Sequence, residues 1–356
     1  MIVTSGSVST KWERKFVLQS LKNIGDTTHY ADFEKRFQKE FAKFVKSKYA
    51  FSTSNGTGAL HLALAILGVG KGDEVIIPDM TYISCTNVVE YLGAKPVLVD
   101  IDPIKWTLDP KSVANAITKK TKAIMPVWMY GQPPDMSELL KFKIPIVEDS
   151  CPAVGSYYKG KHAGTFGEFG CFSFQAAKIM ITGEGGMLVT NNKQYDKRAR
   201  KIADNSESDR QFWFDEIGYM YLMGDVQSAL GLGQLYHIKK ILERKKEIFM
   251  RYYEGLRDIY QMNYFDKDFK PNFWMPSIIV KTEEERFKLR KYLKDNSVDT
   301  RPFFYPLSMF GIWKKRFSNK ESYNIGLRGI NLPGGVRRTN KEIDYICSKI
   351  IKYVKS

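Results

Sequence analysis

Ile144-Pro145-Ile146-Val147-Glu148-Asp149-Ser150 is an apolar run that ends in two adjacent carboxylates. Continuous Val/Ile/Leu runs, rather than strict alternation, suit a strand whose sheet is covered on both faces. Runs of the same texture lie at 74–78, 96–100, 123–127, 170–174 and 187–190. Helical patterns occur among them at 58–67, 84–92, 110–117 and 137–140. Strands alternating with helices predict βαβ units, and so an α/β domain with a mostly parallel sheet and helices on both sides. In open sheets of this kind ligands bind along the carboxyl edge, and Asp149 falls on that edge.

Beyond Asp225 the texture changes. Residues 225–260 read as a nearly continuous helix, 274–280 as a strand, 282–294 as a charged helix, 299–305 as a second extended run and 341–354 as a closing helix. This predicts a smaller α+β domain at 239–356, joined to a large domain at 1–238 by a long helix near 236–257. With 356 residues, 43% hydrophobic and 26% charged, the chain can bury a large core and is not a disordered polymer.

Composition also removes several classes of function. No apolar run approaches the roughly 20 residues of a membrane span, and residues 1–20 lack a signal-peptide core, so a soluble, cytoplasmic protein without a membrane partner is expected. Cys85, Cys151, Cys171 and Cys347 form no CxxC pair and no disulfide framework. With His29, His61, His162 and His237 equally scattered, no zinc site is expected. The 55 Lys and Arg against 39 Asp and Glu give a net charge of +16. That surplus fits either solvated helix faces such as 239–246 or attraction to an anionic partner, a phosphorylated small molecule or nucleic acid. Charge alone does not choose.

Three segments carry candidate chemistry. Ser54-Asn55-Gly56-Thr57-Gly58 precedes an apolar helix. A Gly-containing turn at a helix N-terminus offers free N–H groups and the positive end of the dipole to a phosphate, although an ordinary N-cap has the same look. It is not a P-loop, since no Gly-Lys-Ser/Thr follows. Asp149 either caps the next helix or is a fixed anion that keeps a heterocyclic nitrogen protonated, as pyridoxal phosphate (PLP) enzymes require. Gly170-Cys171-Phe172-Ser173-Phe174-Gln175-Ala176-Ala177-Lys178 leads into the turn Thr182-Gly183-Glu184-Gly185-Gly186-Met187. A lysine between an apolar strand and a tight turn is partly desolvated, which favours the neutral amine of a Schiff-base residue and predicts a depressed pKa for Lys178.

Taken together, these segments resemble the DegT-type nucleotide-sugar aminotransferases, PLP enzymes of the aspartate-aminotransferase fold. The resemblance also runs through Gly72-Asp73-Glu74-Val75-Ile76, Tyr91-Leu92-Gly93-Ala94-Lys95-Pro96, Val99-Asp100-Ile101-Asp102, Tyr130-Gly131-Gln132-Pro133, Tyr158-Lys159-Gly160-Lys161 and Gly164-Thr165-Phe166-Gly167. Within the family, Arg210-Gln211-Phe212-Trp213, Thr300-Arg301-Pro302 with Tyr305-Pro306, and Arg328-Gly329-Ile330-Asn331-Leu332-Pro333 look most like the GDP-perosamine synthases. The resemblance implies a seven-stranded, mostly parallel sheet, PLP as cofactor with pyridoxamine 5′-phosphate as its intermediate form, and a homodimer. It implies amination at C4 of a GDP-, UDP- or dTDP-linked 4-keto-6-deoxyhexose, with L-glutamate as donor and a perosamine- or viosamine-type product. Lys178 would be the catalytic Schiff-base lysine, and Asp149 would pair with the pyridinium nitrogen. Tyr82 would stack on the ring, Gly56, Thr57 and Ser173 would hold the phosphate, and Arg301 and Tyr305 would contact the substrate.

The chain departs from the family at Gly218-Tyr219-Met220-Tyr221-Leu222-Met223, where Asn and Arg are usual in place of Met220 and Leu222. Pro152 stands where Gln, Glu or His is common, and Trp128 and Ser308 stand where His is common. These changes are expected to cluster near the site. Two rivals remain from the sequence. One is a sugar dehydratase of the same fold, a branch that carries His at the position of Lys178. The other is a non-catalytic nucleic-acid-binding regulator, for which the +16 charge is the sole support.

Overall fold

The computed structural model describes residues 1–4, 6, 8–22, 24 and 31–356; His29 lies outside the described residues. Its strands are β1 (Tyr49–Thr53), β2 (Glu74–Pro78), β3 (Lys95–Val99), β4 (Thr121–Ile124), β5 (Val147–Asp149), β6 (Tyr157–Tyr158), β7 (Lys161–His162), β8 (Phe169–Ser173), β9 (Gly186–Thr190), β10 (Gln261–Met262), β11 (Phe269–Lys270), β12 (Ser277–Ile279), β13 (Arg301–Pro302) and β14 (Gly329–Asn331). The helices are α1 (Lys11–Lys22), α2 (Asp32–Val45), α3 (Gly56–Ile66), α4 (Ser84–Tyr91), α5 (Pro110–Ala116), α6 (Met136–Leu139), α7 (Lys193–Ala203), α8 (Asp225–Tyr236), α9 (Ile238–Leu256), α10 (Glu283–Asp295), α11 (Lys320–Gly326) and α12 (Asn340–Lys355).

Two hydrogen-bonded sheets, β1-β9-β8-β5 and β3-β2-β4, meet along β4 and β5. Parallel bridges from Ile124 to Ile146 and from Val127 to Asp149 join them. The Asp149 N–H donates to the Pro126 carbonyl at 2.9 Å and the Trp128 N–H to the Asp149 carbonyl at 3.0 Å. Seven strands therefore lie side by side in the order β3-β2-β4-β5-β8-β9-β1. β9 is antiparallel to both of its neighbours, and the pairs from β3 to β8 are parallel. β8 and β9 are buried at every position, as continuous apolar runs require. Helix α2 covers one face with Phe33, Phe37 and Phe41, whose four-residue spacing puts them on one stripe; Phe41 meets Phe172 at 5.1 Å and Phe37 meets Phe174 at 5.3 Å between ring centroids.

The antiparallel sheet β10-β12-β14-β13 forms a second layer with its own core, in which Ile248, Phe249, Leu289, Leu293, Ile330, Ile343 and Ile350 are each fully buried. The chain's first residues join this unit: the Ile2 N–H donates to the Ser297 carbonyl at 2.8 Å and the Thr4 hydroxyl to Asp299 at 2.6 Å.

Three expectations need correction. The helix expected across 225–260 is broken at His237. Its Nδ1 lies 3.0 Å from the Gly233 carbonyl, which a continuing helix would give to the residue-237 N–H, and that N–H turns to the Gln234 carbonyl instead. The strand expected over 274–280 is only β12, because Phe273 takes φ 54° and Asn272 bonds the Trp274 N–H in place of a neighbouring strand. The extended run at 299–305 contributes only the two-residue strand β13 to the sheet, flanked by single backbone bonds from Asp299 to Ile2 and from Phe303 to Gly329.

Candidate active site

The site grows from three carboxyl-end positions of the sheet. After β1, Asn55 caps α3, its Oδ1 accepting from the Gly58 N–H at 2.7 Å, so the first turn of the helix opens upward. No side chain fits at Gly56: a Cβ there would stand 2.8 Å from both Cys151 Sγ and Ser173 Cβ. The Thr57 hydroxyl lies 2.9 Å from that of Ser84. Ser173 ends β8, and its hydroxyl accepts weakly from the Gln175 N–H at 3.4 Å.

The acidic pair at the end of β5 separates because successive side chains on a strand face opposite ways. Glu148 turns inward, 0% exposed. It accepts from the N–H groups of Phe166, Gly167 and Gly164 at 2.6, 2.8 and 2.9 Å and from Trp128 Nε1 at 3.0 Å; burial still pushes its pKa up against these bonds. Asp149 turns into the cleft. Its Oδ1 accepts from the Cys151 N–H and its Oδ2 from the Cys85 thiol, both at 3.0 Å. Burial, with Asp149 beside it, raises the Cys85 thiol well above its ordinary pKa, so it remains a protonated donor.

Lys178 lies on the turn between β8 and β9, with Nζ 4.3 Å from the centroid of the Trp274 ring. Desolvation by the cleft walls holds its pKa below the ordinary lysine value, against the opposing pull of Cys151, Asp149 and Cys85. This is the direction expected from the sequence.

A cleft of about 700 Å³ joins these groups. Gly56, Thr57, Tyr82, Asp149, Ser173, Lys178 and Arg301 all line it. Tyr82 stands at its rim, 58% exposed, with its ring 5.7 Å from that of Phe304. Tyr305 does not line the cleft; its hydroxyl accepts from Arg286 Nη2 at 3.2 Å. Of the five departures, Pro152 alone lines the cleft. Trp128 is buried on the far side of β5 against Glu148, and Ser308 donates to Asp79 at 2.6 Å. Leu222 bridges to Thr53, and Met220 points outward, 65% exposed. Within this chain's own cleft the expected clustering thus holds for one residue, Pro152.

Sequence reasoning missed Trp274, Cys85 and Cys151. The position of α4 directly after β2 on the carboxyl edge could have flagged Cys85, and Cys151 follows Asp149 by two residues. Trp274 carries no such signal, because it sits on an irregular segment of the small unit.

The cradle fits a phosphorylated pyridine. The α3 N-terminus with Gly56, Thr57 and Ser173 suits the phosphate, Asp149 suits a ring nitrogen, and Lys178 suits an aldehyde carbon. Fold and site together define a vitamin-B6-dependent enzyme of the aspartate-aminotransferase architecture. The DegT/DnrJ/EryC1/StrS aminotransferase family matches residues 10–351, and the chain belongs to that family. It is 40% identical over 347 residues to the GDP-perosamine synthase of Escherichia coli O157:H7, covering 96% of this chain and 95% of that protein. It is 35% identical over 354 residues to the GDP-perosamine synthase of Vibrio cholerae, covering 96% of each. Among solved structures, the PMP form of a provisionally named sugar aminotransferase from Streptococcus pneumoniae superposes with a TM-score of 0.94 at 25% identity, covering 100% of this chain and 99% of that one.

Proposed function

We propose that the chain is a PLP-dependent aminotransferase that converts a GDP-linked 4-keto-6-deoxyhexose to the 4-amino-4,6-dideoxy sugar, of perosamine type, with L-glutamate as donor. The observation that carries the chemistry is the convergence of Lys178, Asp149 and the α3 N-terminus on one cleft. Similarity along 96% of the chain to GDP-perosamine synthases supports the choice of substrate. PLP, when bound, supplies an electron sink and carries the amino group from donor to acceptor.

The chain's own residues supply the rest. Lys178 Nζ, its pKa lowered by the desolvating walls of the cleft, is the base for the donor's Cα proton. Asp149, fixed by Cys85 and Cys151, presents its carboxylate to the ring nitrogen. Gly56, Thr57 and Ser173 would hold the phosphate, and the exposed ring of Tyr82 would offer its face to the pyridine. Arg301, at the rim, takes the anionic sugar nucleotide. Lys178 itself favours this reading over the dehydratase.

The reading includes a division into units at residue 238, a cytoplasmic location and a homodimer. Among the described residues no helix is long and apolar enough to cross a membrane. Phe212, Trp213, Phe214, Ile217 and Met220 leave large apolar side chains bare, a stretch that a second copy would cover. Light scattering should find a dimer, and a monomer at working concentration would remove that part. The deciding experiment adds glutamate to purified protein: the visible cofactor band should bleach, and GDP-4-keto-6-deoxymannose should restore it while yielding a 4-amino product by NMR. A band indifferent to glutamate would refute the assignment.

A further inference from the structure

Trp274 reaches the cleft from the small unit, and the roles assigned above leave it unused. Its Nε1 donates to the carbonyl of Ala177, the residue before Lys178, at 2.8 Å. One ring face lies 4.3 Å from Lys178 Nζ, and the ring tilts at 37° to that of Tyr130, 6.2 Å away. The main chain is gripped as tightly. The Trp274 N–H donates to Asn272 Oδ1 and the Trp274 carbonyl accepts from Lys245 Nζ, both at 3.0 Å. Asn272 Nδ2 donates in turn to the carbonyls of Pro152 and Val154, each at 2.9 Å, in the loop that follows Asp149. Lys245, fully enclosed on α9, also reaches the Gly334 carbonyl at 2.7 Å.

Between these anchors Phe273 is held at φ 54°, a left-handed conformation that a bulky residue keeps only where its surroundings over-determine it. Phe273 itself packs into the second core, its ring stacked 4.3 Å from that of Phe249, so the turn sends Phe273 to one core and Trp274 to the cleft. A ring anchored by side-chain bonds that reach from the small unit to carbonyls of the large one, with one face against a reactive amine, has the features of a placement device.

We propose that Trp274 is a positioning residue for Lys178: its ring face and its bond to Ala177 aim the amine into the cleft, Asn272 ties its segment to the loop behind Asp149, and Lys245 ties its carbonyl to that of Gly334. That the aimed amine serves transamination rests on the function proposed above; the contact does not.

The test uses full-length Trp274→Ala and Trp274→Phe proteins stripped of cofactor and mixed with PLP. Covalent capture is followed by the visible band and by the mass of the borohydride-reduced Lys178 peptide. Loss of the ring in Trp274→Ala should slow capture about tenfold. Trp274→Phe keeps a ring without the Nε1 donor and should slow it about threefold. Should the alanine variant fail to fold, the phenylalanine variant decides. Capture within twofold of wild type in a folded variant, with only the unfolding midpoint lowered, makes Trp274 a packing residue and overturns the proposal. Wild-type capture at Lys178 with no response to glutamate would sink the aminotransferase reading and leave this contact standing.

Discussion

The floor of the cleft and its wall are built on opposite plans. The floor consists of Asn55 to Thr57, Asp149 and Ser173, each at the end of a strand or the start of a helix, so the sheet ladder sets their positions. The wall consists of Trp274, Arg301 and Phe304, of which Trp274 and Phe304 sit on irregular chain. Side chains reaching backbone fix them: Asn272 and Lys245 hold Trp274, and the Phe304 N–H donates to the Tyr130 hydroxyl at 3.0 Å. Regular structure spreads the cost of placement over many redundant bonds, whereas the wall concentrates it in a few side chains. The floor should therefore fail through its chemistry and the wall through its scaffold.

The largest effect belongs to Lys178, on the turn that leaves the floor after Ser173. Lys178→Ala should lower turnover by about 10³-fold or more while the chain stays folded, because the base and the covalent anchor are lost together. Absorbance of the purified protein and a glutamate half-reaction would check it; a variant retaining a tenth of wild-type turnover would contradict the assignment.

The acidic pair sharpens the contrast within the floor. Asp149→Asn keeps the shape and removes the charge, so the half-reaction rate should fall roughly 10²- to 10³-fold with little change in stability. Glu148→Gln should do the reverse. Its amide would confront two of the four donors now facing the carboxylate, costing about 3 kcal/mol in denaturant unfolding while leaving Asp149 in place. Equal effects of the two substitutions on rate would erase the distinction.

How much of this was legible follows the same division. The helix after Asn55, the strand ending at Asp149 and the turn bearing Lys178 announce themselves through apolar runs and glycines, and the structure brings their side chains together. α2 was readable from Phe33, Phe37 and Phe41 at four-residue spacing, a pattern the reading passed over. The break at His237 was hidden because no Pro marks it and the cause is one side-chain contact, although Gly231 and Gly233 just before it weaken the helix. Trp274 was hidden for a deeper reason: its segment looks like strand, and only the bonds from Asn272 and Lys245, distant in sequence from what they touch, make it something else.

A pH titration probes the scaffold beneath the floor. His162 is buried, with Nε2 accepting from the Gly155 N–H at 2.9 Å and Nδ1 2.7 Å from the Ala163 carbonyl, an arrangement for a neutral ring that donates through Nδ1. Burial lowers its pKa from the ordinary 6.5 to about 4. The unfolded chain thus binds this proton first. The stability is fully present above pH 6.5 and drains away as pH falls toward 4, amounting to about 3 kcal/mol from a shift of that size. Unfolding free energies of wild type and His162→Gln between pH 7 and 4 should diverge at the top of that window and converge at the bottom; parallel curves would mean that His162 titrates normally.

The most direct comparison sets one asparagine of the floor against one of the wall. Asn55→Ala removes a cap from α3, and because water or the next turn can serve the Gly58 N–H, the loss should be about 1 kcal/mol. Asn272→Ala leaves the Pro152 and Val154 carbonyls and the Trp274 N–H buried without partners, so it should cost about 3 kcal/mol even though no regular element is touched. Denaturant midpoints of the two variants measure the difference directly. If Asn55→Ala proves the more damaging, redundancy in the floor is not what distinguishes it from the wall, and the Trp274 segment must be held by its ring packing rather than by the bonds at its ends.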